Sequence, residues 1–162
     1  MSDWSPEVAA SLDLYANGPE LLRKAVAGLN DRQLRTPAPP GKWSVLEIVC
    51  HIADAEIFYA DRMKRVLVED QPTMFSANPD EFLSRLACNQ RDLNEELAVI
   101  TSIRQHVTRI LRTVTAADFE RVGVHSADGP MTLAVLLKRI AGHIPHHIKF
   151  IDEKRPALLA IG

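Results

Sequence analysis

Four times along this chain a capping residue opens a run whose apolar positions recur every three or four residues, which confines the chain to helices packed on helices. Ser5 stands before Pro6, a cap followed by the residue best suited to the first helical position. Ser44 has Glu47 three positions on, the reciprocal capping box, and Trp43 before it is placed to staple onto Ile48. Asn78 precedes Pro79-Asp80-Glu81, and Thr132 opens the last run with Met131 placed to staple onto Leu136. Alternating strand patterns are nearly absent.

The stripes behind these caps predict the core. The first helix turns Val8, Leu12, Tyr15, Leu22, Val26 and Leu29 inward, and Asn17-Gly18-Pro19 predicts a kink or a split into two pieces. A loop is expected from Leu34 to Gly41, which holds Pro37, Pro39 and Pro40. The second helix carries Val45, Ile48, Val49, Ile52, Tyr59, Met63 and Val66. After a linker, the third runs from Pro79 to about Val114, with Leu86, Leu93, Ile100, Val107 and Val114 in one row and Leu83, Leu97 and Leu111 in another. Gln90 and Arg104 interrupt that second row and read as polar groups hydrogen-bonded at a seam edge. Residues 115–131 form a connection too long for a tight turn, of the kind that crosses a domain or shapes a site. The fourth helix carries Leu133, Leu136, Leu137, Ile140, Ile144, Ile148 and Ile151. The fold class is all-α, a four-helix bundle whose two long connections exclude a simple up-down-up-down order.

At 162 residues, the chain is expected to form one domain over 1–162. A net charge of −2 with scattered Lys and Arg gives no electrostatic basis for nucleic-acid binding. No apolar run predicts a membrane span, and Met1 to Glu7 does not resemble a signal peptide. Cys50 and Cys88 make no disulfide framework, so a cytoplasmic setting with reduced thiols is expected.

Against this background three histidines stand out. His143 and His147 lie four apart on the fourth helix, so they project from one face, and His51 holds a similar margin of the second helix's stripe. Neutral imidazoles at that spacing suit zinc, nickel, iron or copper, although spacing alone does not show that His51 converges on the other two. His146 falls toward solvent. Pro145, between the paired histidines, either bends the helix enough to separate them or widens it around a site. Glu47, a turn before His51, is a candidate for orienting it but is already accounted for by its cap, whereas Asp54, three residues after His51, is the better candidate for orienting a ligand or transferring a proton, set against the ordinary reading of a solvated face. His125 reads as an exposed loop histidine, and Cys50 as a buried, inert thiol.

The run GKWSVLEIVCHIADAE from Gly41 to Glu56 resembles the second-helix signature of the DinB-like superfamily, which contains the DinB and YfiT-type proteins. Arg112, Gly123-Val124-His125, Gly129, Thr132-Leu133 and GHIPHHIKFI from Gly142 to Ile151 follow in the same order. The resemblance implies a bundle of up-down-down-up order, often dimeric, with one metal ion held by His51, His143 and His147. It also implies an activity among thiol S-transferases, isomerases and metal-dependent hydrolases.

Three neutral histidines leave coordination positions for water or a substrate atom, the arrangement of catalytic zinc. The leading expectation, implied by the resemblance and not by any residue that identifies a thiol, is a metal-dependent enzyme of the thiol S-transferase type acting on a small molecule. It would use zinc or nickel and a low-molecular-weight thiol as cosubstrate. The alternatives are a hydrolase that activates water, and a non-catalytic protein in which the ion fastens two helices together.

Overall fold

The computed structural model describes residues 3–161, so Met1 and Ser2 of the leader reading lie outside it. Its four long helices are α1 (Pro6–Val26), α3 (Val45–Val68), α5 (Leu93–Leu111) and α6 (Leu133–Leu159). Between them come α2 (Asp31–Arg35), β1 (Thr73–Met74), α4 (Pro79–Arg85), β2 (Val122–His125) and β3 (Gly129–Thr132). The caps sit where the sequence places them. Ser5, Ser44 and Thr132 each accept from the backbone N–H three residues on, Asn78 accepts from those of Asp80 and Glu81, and Ser44 and Glu47 close their capping box.

Contacts at the helix ends fix the directions. The Trp4 indole donates to Val114 O at 3.0 Å, bringing the start of α1 to the end of α5. Lys138 meets Glu7 at 2.7 Å, so α1 and α6 start side by side. Arg91, just before α5, reaches Asp54 in the first half of α3, so α3 and α5 run parallel. Arg121 donates to Val66 O while its own carbonyl accepts from Leu133 N, joining the end of α3 to the start of α6. The order is up, down, down, up, with α1 against α5 and α6, and α3 against the same two. Among the described residues no helix is long and apolar enough to cross a membrane.

Arg104 is not at a seam edge. It is fully buried at the centre of the bundle. Its Nε and Nη2 donate to Glu56 Oε1 on α3 at 2.8 and 2.6 Å, Nη2 also to Ile140 O on α6 at 2.8 Å, and Nη1 to Tyr15 O on α1 at 2.9 Å. This explains why α1 is one continuous helix rather than a broken one. Pro19 has no N–H to give Tyr15 O, four residues back, and Arg104 supplies the missing donor. Gly18 makes the room, since a Cβ there would lie 2.1 Å from Arg104 Nη1. Burial pushes the Glu56 carboxyl upward in pKa, and Arg104 opposes it.

The expected third helix is two helices. Ala87 adopts a left-handed conformation at φ 49°, residues 88–90 make a 3-10 turn, and Asp92 caps α5 by accepting from Asn94 N and Glu95 N. The seven-residue row misled because Leu86 and Leu93 belong to different elements, and Leu86 is exposed. Gln90, in the turn, is exposed too. Leu34 and Arg35, expected at the start of a loop, end α2, which opens on an Asn30–Gln33 capping box.

The connections add a small sheet of order β1-β2-β3, parallel between β1 and β2 and antiparallel between β2 and β3. Gly129, at φ 76°, takes the left-handed position that closes the β2–β3 hairpin.

Candidate metal centre

His51 stands in the second turn of α3, and His143 and His147 stand one turn apart near the middle of α6. Their imidazoles converge. His143 Nε2 lies 3.1 Å from His51 Nε2 and 3.1 Å from His147 Nε2, and the three ligand atoms fall within 4.8 Å of one another. Helix α6 passes through Pro145 without losing the one-turn alignment of the pair. His146 is exposed and touches the cluster only through the edge of its ring against His147.

The triad is built to stay neutral. Burial lowers the pKa of all three, to about 2 for His143 and about 4 for His147, with the neighbouring imidazoles and Arg104 adding to the shift at His143. Neutral rings cannot satisfy one another here, because one proton on His143 Nε2 serves only one of its two neighbours. The Nδ1 atoms of His143 and His147 are buried without a protein partner. A cation bound at roughly 2.0–2.1 Å from each nitrogen would see a 3.1 Å pair at about 95–100°, between octahedral and tetrahedral angles. The third pair, His51 and His147, lies within 4.8 Å, and closing it to less than about 4.2 Å, twice the bond length, lets the donor set hold one divalent ion.

Glu47 and Asp54 are both engaged elsewhere. Glu47 Oε2 accepts from Ser44 N in the capping box, and the Asp54 carboxylate is gripped by Arg91 at 3.1 and 3.2 Å. Trp43 is the aromatic neighbour of His51, with ring centroids 5.1 Å apart, and its indole donates to Asp80. Cys50 is fully buried beside the Cys88 backbone.

His51 and His143 form part of the wall of a cavity of about 330 Å³. Phe58, Tyr59 and Phe82 line it on the helical side, and Tyr59 also packs against the core, as its place in the inward stripe predicts. The long connection supplies His125, Asp128 and Met131 to the same wall. His125 is thus half-buried in a strand, not an exposed loop residue. The Asp128-Gly129 dipeptide after a Val-x-Val alternation was the sequence signal for that hairpin. A second cavity, of about 590 Å³, is lined by His147, Trp43, Phe150 and Lys154.

Residues 14–151 match the model of the DinB superfamily. A protein of Geobacillus thermodenitrificans named "Putative metal-dependent hydrolase" is 34% identical over 138 residues, 85% of this chain and 78% of that one. A protein of Geobacillus kaustophilus with the same description is 35% identical over the same shares. Among solved structures, YfiT from Bacillus subtilis, described as a probable metal-dependent hydrolase with an unusual four-helix bundle topology, superposes with a TM-score of 0.89. That match covers 98% of this chain and 91% of that one at 27% identity. With its family model spanning most of the sequence and its bundle shared with a solved relative, the chain belongs to the DinB superfamily.

Proposed function

We propose that this protein is a metal-dependent enzyme that holds one divalent ion, zinc or nickel, on His51, His143 and His147 and acts on a small molecule in the adjoining cavity. The observation that carries this reading is the convergence of three imidazoles held neutral by burial, two of which, His51 and His143, form part of the wall of a 330 Å³ cavity. Catalytic zinc sites keep such a three-ligand set so that a coordination position stays free for the reaction. When bound, the ion would act as a Lewis acid and lower the pKa of a coordinated water or thiol. The residues of the chain itself supply the neutral donors and shape the approach, and Ile52, Ile140 and Ile144, next to or one turn from the ligands along their helices, are fully closed to water.

Hydrolysis is the reaction named for the relatives. Transfer of a thiol is the second reading, supported by the separate 590 Å³ cavity at His147, which offers room for a cosubstrate. The test is equilibrium titration of metal-free protein with zinc and nickel, followed by ester, amide and thiol-conjugation assays on the loaded forms. His51→Ala, His143→Ala and His147→Ala should each weaken binding by at least about 100-fold, while His146→Ala leaves it within a few fold. Retained affinity in His143→Ala together with loss in His146→Ala would reverse the ligand assignment.

A further inference from the structure

The wall of the 330 Å³ cavity carries polar groups that the metal triad does not use. His125 is the first. Its Nδ1 accepts from the backbone N–H of Ala127 at 3.3 Å and of Asp128 at 3.2 Å. A nitrogen that accepts two N–H groups carries no proton, so the neutral ring is held as the Nε2–H tautomer. No partner for that Nε2–H exists among the described residues, and the ring lines the cavity.

Arg62 is the second. Its Nη2 donates to Phe75 O and its guanidinium sits 5.1 Å from the centre of the Tyr59 ring. Among the described residues no carboxylate lies within ion-pair distance of it. The two acidic residues on the wall are already engaged, Asp54 by both nitrogens of Arg91 and Asp128 by Arg139 at 2.6 Å. Asp128 also lies 3.9 Å from His125 Nδ1, on the side away from the free Nε2. A guanidinium without a carboxylate partner and a free N–H donor on residues of one wall make a site for an acceptor-rich anion. Phe58 and Phe82, packed edge to face at 5.0 Å, give the same cavity an apolar side.

We propose that Arg62 and His125 Nε2–H anchor a carboxylate or phosphate on the substrate, while its apolar body rests on Phe58 and Phe82. This deepens the metal-enzyme reading and rests on it for the reaction, but not for the binding. A cavity of 330 Å³ is at the small end for ligand sites and suits a molecule about the size of a substituted benzene ring.

The test uses the full chain freed of metal, so that no anion is held by an ion, and titrates it with benzoate, phenyl phosphate and the neutral benzyl alcohol. Both anions should bind at least about tenfold more tightly than the alcohol, and the preference should shrink with added salt. The tighter of the two anions identifies the group recognised. Arg62→Gln should erase the preference with thermal stability retained. His125→Ala should weaken the anions, and His125→Gln, which keeps an N–H near the position of Nε2, should restore part of the loss. Nitrogen-15 spectra should show His125 protonated at Nε2. Equal binding of alcohol and anions, no saturable binding of either anion, an unchanged preference in Arg62→Gln or a protonated Nδ1 at His125 would each overturn the proposal. A separate zinc titration of the same sample tests the triad, so anion preference without zinc binding would sink the metal reading and leave this one standing.

Discussion

Replacing Gly18 by Ala offers a sharp test of how the bundle is held together, because local and tertiary physics predict opposite signs. Gly18 lies inside α1 with no unusual backbone conformation, and Ala there should favour the helix by about 0.5–1 kcal/mol. The new Cβ, however, would stand 2.1 Å from Arg104 Nη1 and 3.0 Å from its Cζ. The guanidinium must withdraw, loosening its bonds to Tyr15 O, Ile140 O and Glu56 in a site with no access to water. Breaking one side of a buried ion pair costs about 3–5 kcal/mol. The balance is a net loss of about 2–4 kcal/mol, or roughly 5–15 °C in Tm for a chain of this size. Urea and thermal unfolding of the two proteins measure it directly. In a background carrying Arg104→Met and Glu56→Leu, the same Gly18→Ala change should recover its ordinary gain. Unchanged or raised stability of the single variant would refute this account of Gly18, and a loss of equal size in both backgrounds would show that Arg104 is not the cause.

Metal affinity should depend only weakly on pH. With His143 at about 2 and His147 at about 4, neither has a proton to lose above pH 5, and His51, itself lowered by burial, can release one at most, so log affinity should change by no more than about one per pH unit there. A slope near three from calorimetric titration would contradict the burial of the pair. Stability of the metal-free protein should fall as pH drops below about 6.5, because the unfolded imidazoles take up protons that the folded ones, with lowered pKa values, refuse. Denaturant midpoints that stay level from pH 7 to pH 4.5 would contradict it. Nickel should quench Trp43 fluorescence through its contact with His51, so Trp43→Phe abolishes the response and Trp4→Phe preserves it. Asp54→Asn should lower stability by about 1–3 kcal/mol through the Arg91 contact while leaving zinc affinity within a few fold. A large loss of zinc affinity in that variant would give Asp54 a part in orienting His51.

What was legible in the sequence was local. Caps at Ser5, Ser44, Asn78 and Thr132 are decided by a few neighbouring atoms, and so is the one-turn spacing of His143 and His147. Interactions across the bundle were not legible. Arg104 was visible as an interruption in an apolar row, but nothing nearby in sequence names Glu56, Gly18 and Pro19 as its counterparts. The break before α5 was hidden because Leu86 and Leu93 keep a helical interval across it, although Asp92 ahead of Leu93-Asn94-Glu95-Glu96 is a start signal in its own right. Composition favoured helices so strongly that the brief Val122–His125 strand, and with it the placement of His125, went unread.

The Arg104 cluster also bears on axial register. Apolar seams alone leave two helices free to slide by a turn, about 5.4 Å, and still bury much the same side chains. A displacement of that size would tear one guanidinium from three partner helices at once, stranding charge and carbonyls in a dry interior. Glu56 lies five residues beyond His51 on α3, and Ile140 lies three before His143 on α6, distances of about 7.5 and 4.5 Å along the helix axes. The same pin that sets the heights of α3 and α6 therefore sets the meeting of His51 with its two partners. In this bundle the alignment that lets three imidazoles face one point is enforced from a neighbouring layer, before any ion arrives.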